Sequence, residues 1–565
     1  MPPAPAEPTS KAGGWGAVPS PQDGRRRGAR DAVARTATAR TAGGAPAATD
    51  MLDSATAGMV SPVFAGREAE FTMLATAFEY SDAACVTVLV GGEAGSGKSR
   101  LIREFAAKAR RSAGPDGVLI LCGGCPETSG GGLPYAPFTA VVRQLADELS
   151  PAQMADLLGG YGTAPDNANL ADLLGRSSAS PGDADLAGLF GRLATLLNRL
   201  ARVAPLILIV EDAHRADRST RDLLRFLVRN GRLARVLIVV TYSSDEVHRT
   251  HPFRPVLADL SRAPNVSMLE LPRLQRADVA AQLAGILGRP PAPAVVDAAY
   301  ARTGGIPMFV EAIVNGDGTV RCCRPDSPSD LLLEGVRRLP EDTQQVLRIA
   351  SASGGRTGHA LLAAVTGLSE HALCAALQPA AADNVLVSRD GGYEFAHSLT
   401  REAVHDVLSG PEHVHVHARF ARALESDPSL AVPGRPAVQL TLHWRSAHEY
   451  DRAMLAAWRA AADAEIACAY AEQLEMLEQM LELWEQAPSA PAQIGADHTG
   501  ILERAARAAQ RAGNPGRCAR LAQAALGESA GPRAARSTAL LRLLAEANQV
   551  RRTIDPSHHG TWPGC

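Results

Sequence analysis

The sequence predicts an α/β domain, a parallel sheet with helices on both faces. An all-α region follows, with a winged-helix pattern and then a tetratricopeptide-like α-solenoid. Three observations carry this expectation. Short apolar runs at Cys85–Val90, Leu206–Val210 and Arg235–Thr241 alternate with amphipathic helical stretches, the pattern of parallel strands buried on both faces. A glycine-rich turn, Gly91-Gly-Glu-Ala-Gly-Ser-Gly-Lys-Ser-Arg100, joins the first run to a helix. From about residue 435 the chain consists of Ala- and Leu-rich amphipathic segments with short turns, as in stacked helix pairs, although a full repeat signature is absent.

Length and composition set the bounds. At 565 residues the chain is too long for one domain, and three or four is a reasonable expectation (about 100–200 residues each). Aromatics make up only 4% of it, and the apolar set is dominated by Ala and Leu, which favours helices over a β-sandwich. The net charge of −3 excludes a globally basic nucleic-acid binder. Nine cysteines, an odd number without framework spacing, fit a reducing cytoplasm. No apolar run approaches the ~20 residues of a membrane span.

In chain order, residues 1–50 are rich in Pro, Ala, Gly, Thr and Arg without apolar periodicity and read as a disordered leader. The Arg25, Arg26, Arg27, Arg30, Arg35 and Arg40 cluster reads as a solvated tail, with Met51 or Met59 as candidate starts. A helix is expected over Glu68–Glu79, with Phe71, Leu74, Ala75 and Phe78 on one face. After the glycine-rich turn comes a helix burying Leu101, Ile102, Phe105 and Ala106, then a strand over Val118–Cys122. The irregular stretch Gly130–Phe138 precedes helices that reach about residue 204. Short helices begin near 275, and residues 316–329 form a polar linker. Residues 330–410 read as a small helical domain with strand-like Val385–Ser388 and Tyr393–Phe395. The expected solenoid helices are Ala437–Ser446, Arg452–Ala467, Tyr470–Trp484, Ile501–Ala512, Gly516–Ala525 and Ala535–Asn548.

The glycine-rich turn fits the phosphate-loop pattern G-x-x-x-x-G-K-[ST] through Gly92, Gly97, Lys98 and Ser99. Glu93, Ala94, Gly95, Ser96 and Arg100 complete the loop and are counted with it as cofactor-binding residues. Glycines let backbone N–H groups wrap close to phosphate, and the following helix adds its positive dipole end. Lys98 would reach the β- and γ-phosphates of ATP, and the Ser99 hydroxyl would ligate Mg²⁺. Only Lys11, Lys98 and Lys108 are lysines in a chain whose other basic residues are all arginine. A compact ammonium at this one position matches a need that a planar guanidinium does not meet.

Acids at the end of an apolar strand are the second half of such a site. By register Glu211 takes the metal position and Asp212 is left to orient or deprotonate the attacking water. Cys122 and Cys125 have zinc-like spacing, but no second pair or histidine at finger spacing joins them, and Cys322-Cys323 is merely adjacent. A structural role is expected for them. His397 follows a strand and is by default a buried core histidine.

Several stretches taken together resemble one family, the large ATP-binding regulators of the LuxR class within the STAND group of signalling NTPases. Their ATPase module is also described as an origin-recognition-like AAA domain. The resemblance spans about residues 62–485. It rests on Gly66-Arg-Glu-Ala-Glu70, the phosphate loop, Leu133-Pro-Tyr-Ala-Pro-Phe138, Glu211-Asp-Ala-His-Arg-Ala-Asp217, Thr241-Tyr-Ser-Ser-Asp-Glu246, Gly305-Ile-Pro307 and Phe395-Ala-His-Ser-Leu-Thr-Arg-Glu-Ala-Val404. It implies that residues 64–67, Arg67 among them, pack near adenine. It also implies that Pro307 helps to close the base pocket and that His397 senses the phosphates.

Departures from that pattern qualify the implied activity. Ser243 stands where the family usually has arginine, and a serine cannot supply that charge to a γ-phosphate. Arg215, Ile306 and Ala396 replace the usual Trp, Asn and Arg. No LuxR-type helix-turn-helix precedes Cys565, and the helix-turn-helix-like Gly367–Leu377 belongs to the winged helix. A truncated or frameshifted regulator, or one acting through partners, is therefore expected.

The expectation is an ATP-binding signal-transduction switch whose nucleotide state controls oligomerisation and transcription, with weak ATP hydrolysis at most. The alternatives are a turnover-competent AAA ATPase and an interaction scaffold with a vestigial site. Expected partners are ATP or ADP, an inducer or protein on the helical repeats and further copies of the chain. DNA is expected only if a helix-turn-helix is supplied elsewhere, and no membrane is expected. The expected organisation is a leader over 1–60, an ATPase core over 61–272 and a helical lid and linker over 273–328. A winged-helix-like domain over 329–430, repeats over 431–550 and an unstructured tail over 551–565 complete it.

Overall fold

The computed structural model describes residues 61–113, 117–125, 134–148, 157, 186–230, 233–314, 320, 328–383, 385–389, 392–431, 436–528 and 534–554. The leader, the start of the 130–138 stretch, most of the 316–329 linker, Cys322-Cys323 and the residues after 554 lie outside them.

The first domain is built on a five-stranded sheet of order β2-β3-β4-β1-β5. Its strands are β1 (Val86–Gly92), β2 (Leu119–Gly124), β3 (Leu206–Glu211), β4 (Val236–Thr241) and β5 (Val266–Leu271), and all pair in parallel. Apolar side chains of the central strands alternate between two cores. Leu89, Leu206, Leu208, Ile238 and Val240 face one side, with Leu193, Leu197, Leu223 and Leu224 from the helices α4 (Leu186–Ala201) and α5 (Arg218–Asn230). Val88, Val90, Ile207, Ile209, Leu237 and Val239 face the other, against α1 (Glu68–Tyr80) and α2 (Lys98–Ser112). Each fully buried Leu, Ile or Val contributes about 1.5–3 kcal/mol, which explains why these runs tolerate no polar interruption. Phe71 and Phe78 of α1 meet Phe105 of α2 edge to face. The helix α3 (Ala136–Glu148) packs beside β2.

β5 is absent from the sequence reading. Its Val-Ser-Met-Leu-Glu-Leu sequence buries Leu269 and Leu271 but leaves Met268 exposed, as an edge strand covered on one face does. Next come α6 (Arg254–Leu260), α7 (Arg276–Leu287), α8 (Pro293–Thr303) and α9 (Pro307–Ala312).

The winged-helix region comprises α10 (Pro328–Arg337), α11 (Glu341–Ser351), α12 (His359–Thr366), α13 (Glu370–Ala382) and α14 (Ser398–Asp406). A small antiparallel sheet of β6 (Thr357–Gly358), β8 (Gly392–Phe395) and β7 (Leu386–Arg389) belongs to it. A long helix, α15 (Gly410–Ser426), follows and is also missing from the sequence reading. His413-Val-His-Val-His417 alternates like a strand, and His and Val are mediocre helix formers. The start signal was nevertheless present, since Ser409 and Glu412 form a capping box.

The solenoid runs through α16 (Pro436–Ser446), α17 (Tyr450–Ile466), α18 (Tyr470–Leu483), α19 (Ala490–Ile494), α20 (His498–Arg511), α21 (Pro515–Glu528) and α22 (Ala534–Ile554); the long helices pack in succession, α18 directly on α20, while short α19 packs on α17. Buried alanines at 453, 456, 457, 460, 461 and 464 let the helices approach closely. The unstructured tail expected from residue 551 is corrected: α22 continues to Ile554, because Arg551 and Arg552 are good helix formers.

The solenoid also docks onto the α/β domain. Ala464, Ala467, Cys468, Ala469 and Tyr470 join the core beside α5. The Ser219 amide donates to Glu472 across 3.0 Å, its hydroxyl donates to the second carboxylate oxygen, and the Tyr135 hydroxyl donates to the Cys468 carbonyl. Among the described residues no single helix is long and apolar enough to cross a membrane. The bent pair α12–α13 is long and apolar enough only jointly, and it buries Leu361, Leu362, Val365, Leu373 and Leu377 in a core shared with the helices that follow.

A candidate nucleotide site

The site forms where strand order places it. β1 lies between β4 and β5, while β2 and β3 extend the sheet on the β4 side, so the C-terminal ends of β1, β3 and β4 share one crevice. The phosphate loop leaves β1 there. Gly95 (φ 78°) and Gly97 (φ 94°) adopt left-handed backbone, and a Cβ at Gly95 would stand 2.9 Å from the Met308 Cβ. Gly97 caps α2, so the helix begins at Lys98 on the edge of the crevice.

Lys98 is 7% exposed, and its ammonium donates to the Gly92 carbonyl (2.9 Å), the Glu93 carbonyl (3.0 Å) and the Ser243 hydroxyl (3.2 Å). Burial lowers its pKa from the ordinary lysine range, while Asp212, Asp245, Glu246 and Glu270 pull the other way. Asp245 also accepts from the Ala94 amide at 3.2 Å, which ties the loop to the end of β4. The Ser96 hydroxyl is buried without a hydrogen-bond partner.

Glu211 ends β3, and Asp212 follows in left-handed backbone (φ 53°), its amide donating to the Thr241 hydroxyl at 2.9 Å. Both acids line the same cavity as Lys98 and Ser99. Beyond them, His214 Nδ1 accepts from the Ser243 amide, and its Nε2 lies 3.3 Å from Glu246. The His214 ring beside it, and then the charges of Arg215 and Lys98, hold the Glu246 carboxyl down at about 2 despite burial.

The cavity measures about 410 Å³, and four parts of the chain wall it. Val63, Phe64, Ala65 and Arg67 contribute one side, the loop and α2 the floor, Leu274, Pro307 and Met308 a third side, and Phe395, Ala396, His397 and Leu399 the winged-helix side. The start of α9 touches the loop directly, since the Met308 amide donates to the Gly95 carbonyl at 3.3 Å. Arg215 bridges Glu246 at 3.6 Å and Glu402 of α14 at 3.7 Å, joining the core to the winged helix.

Most residues expected in the site come together. Ala94, Gly95, Ser96, Gly97, Lys98, Ser99, Arg100, Glu211, Asp212, Arg67, Pro307 and His397 all line the cavity. Three of them are held otherwise than expected. The Arg67 guanidinium is committed to the Ser96 and Pro272 carbonyls at 3.0 and 2.7 Å, so it braces the loop. Arg100 donates to the Ser61 carbonyl at 2.9 Å and pairs with Glu104. Glu93 turns outward to pair with Arg273 at 2.8 Å, and with Gly92 it contributes a carbonyl to Lys98 rather than a wall. Burial, reinforced by nearby Arg103, pushes His397 down to about 4. Arg103 and Glu246 also line the cavity and were not singled out from sequence. Arg103 sits one helical turn after Ser99 on α2, a spacing that could have flagged it. Cys122 faces Glu211 and Cys125 is buried, each as a free thiol.

These residues fit a nucleoside triphosphate with Mg²⁺. A buried ammonium held by carbonyls and one hydroxyl, an unpartnered Ser96 hydroxyl, the N-terminus of α2 and paired acids supply the groups for phosphates and a hard cation.

Comparison with known proteins agrees on the core. No curated protein matches the chain. Among solved structures, a STAND protein with a tetratricopeptide repeat sensor from Pyrococcus horikoshii is 16% identical. Its TM-score is 0.48, and the match covers 88% of this chain and 66% of that one. A Walker-type ATPase of Pyrococcus abyssi is 17% identical, with a TM-score of 0.29 over 60% of this chain and 96% of that one. The ORC2 protein of Aeropyrum pernix is 12% identical, with a TM-score of 0.31 over 65% and 96%. Residues 63–240 match the family model of the AAA ATPase domain, so the chain carries an AAA-type ATPase domain of P-loop fold.

Proposed function

We propose that this chain is an ATP–Mg²⁺-dependent signalling switch of the STAND type, related to the LuxR-class transcriptional regulators. The carrying observation is the four-walled cavity: a ligand on Lys98 would also touch the lid at Pro307 and the winged helix at His397. Its phosphate state therefore biases how these parts close, as a two-state switch requires. Lys98 would hold phosphate, Ser99 and Glu211 would hold Mg²⁺, and Asp212 would orient water. Bound Mg²⁺ would neutralise charge on the transferring phosphoryl group.

Ser243 offers a hydroxyl where a cation would stabilise the γ-phosphate, so hydrolysis is slow and serves as a reset. Along the chain the ATPase core would be followed by the lid and linker, the winged helix and the repeats. The repeats receive the signal. Their cavity of about 660 Å³, walled by Glu465, Gln473, Glu503, Arg504, Arg507 and Arg511, suits a charged small molecule. Release of the repeats from α5 would permit oligomerisation, and DNA would be reached through a helix-turn-helix supplied elsewhere.

Hydrogen exchange of the full chain with ADP, with a non-hydrolysable ATP analogue and without nucleotide tests this. The expected result is that the analogue alone changes protection across 387–406. Equal exchange in all three states, with nucleotide shown to be bound, would refute the switch.

A further inference from the structure

Four imidazoles converge where three consecutive helices meet. His405 lies in the last turn of α14, His413 and His417 lie one turn apart on α15, and His443 lies on α16. The ligand atoms of His405, His413 and His417 are all within 4.8 Å of one another. Ring centroids stand 4.4 Å apart for His413 and His417 and 5.2 Å apart for His405 and His413.

The bland reading is aromatic packing. It leaves one atom unexplained: His417 is 4% exposed, and its Nε2 is buried with no hydrogen-bond partner. A buried polar atom without a partner costs about 1–3 kcal/mol. The other nitrogen of the same ring, Nδ1, lies 2.8 Å from His443 Nδ1. His443 is itself 2% exposed and stacks on Phe420 with an interplanar angle of 9°. One ring nitrogen is thus engaged by a fixed buried partner while the other, in a ring packed against His413 and His405, is left without one. Ligating histidines are oriented in this way, the outer N–H fixing the tautomer that leaves the inner nitrogen free to coordinate. His413 and His417, four residues apart, share one helix face.

We propose that His405, His413 and His417 bind a divalent transition-metal ion of the zinc class, with His443 orienting His417. Three imidazoles leave a fourth position for water, because His405 and His413 are only half-buried and give the ion a path from solvent. Zinc–nitrogen bonds of about 2.0–2.1 Å need the three rings to draw together by small side-chain rotations. The ion would clasp α14 to α15. The other end of α14 carries His397 and Leu399 on the nucleotide cavity, so the clasp would fix the winged-helix wall of that cavity.

The test uses the full chain, stripped with a chelator and titrated with Zn²⁺ by calorimetry and with Co²⁺ by absorption. The expected result is one equivalent of tightly bound metal and a four-coordinate cobalt spectrum without thiolate charge-transfer bands. His443→Gln should weaken binding about 10–100-fold. His417→Ala removes a packed ring and threatens the fold, so the deciding variant is the half-buried pair His405→Gln/His413→Gln, checked by circular dichroism. It should lose the equivalent entirely. Absence of binding to the wild-type chain, unchanged binding to the double variant or thiolate bands in the cobalt spectrum would each overturn the site.

Discussion

The Lys98 ammonium lies 3.2 Å from the Ser243 hydroxyl, joining the phosphate loop to the second residue after β4. A neutral hydroxyl at that point leaves Lys98 as the cation buried deepest in the loop, with Arg103 and Arg215 on other walls. Replacing Lys98 by Ala should weaken binding of ATP analogue at least about tenfold, since a charge-assisted contact is worth about 1.5–3 kcal/mol. Ser243→Ala should change it less than about threefold, because two carbonyls still hold the ammonium. Fluorescent nucleotide titration measures both, and wild-type affinity in Lys98→Ala would sink the site assignment.

Arg103 sits on α2 one turn after Ser99 and close enough to His397 to depress its pKa. If it faces the outer phosphate, Arg103→Ala should weaken ATP analogue more than ADP. Paired titrations with the two nucleotides read the ratio, and equal losses would remove Arg103 from that role.

His397 carries a pH signature. Burial holds it down to about 4 in the folded chain, against an ordinary value of about 6.5 when unfolded. The unfolded chain therefore binds the proton more tightly. The stability that neutral His397 confers is fully present above about pH 6.5 and is lost as pH falls towards 4, by at most about 3 kcal/mol. Urea unfolding at pH 7 and pH 5 should show a smaller pH difference in His397→Asn than in wild type.

Glu472 holds the solenoid on the ATPase core through the Ser219 amide and hydroxyl. Burial, and then Glu472 itself, push the neighbouring Asp217 carboxyl well above its usual range. Glu472→Ala leaves two buried donors without their acceptor, a cost of about 1–3 kcal/mol. Hydrogen exchange should rise around residues 217–222 and 466–474 while the phosphate loop keeps its protection. An unchanged pattern would show that the alanine-rich contact alone holds the dock.

Arg215 spans Glu246 and Glu402 with partly exposed partners, so its two ion pairs are worth less than about 1 kcal/mol each. Arg215→Ala should barely move the thermal midpoint. It should, however, increase proteolysis between the core and α14.

What the sequence determined by itself was local. The phosphate loop, the acids ending β3 and the buried strands are legible because residue spacing within one segment dictates them. β5 and α15 were missed where that local pattern misleads, in a half-covered edge strand and in a histidine–valine alternation that reads as a strand. Tertiary structure alone decided the rest. Arg67 braces Pro272 from 205 positions away, Ser219 meets Glu472 across 253, and three helices gather His405, His413, His417 and His443. Such contacts follow from which apolar faces pack together. No periodicity within a single element records which distant side chains that packing will bring into contact.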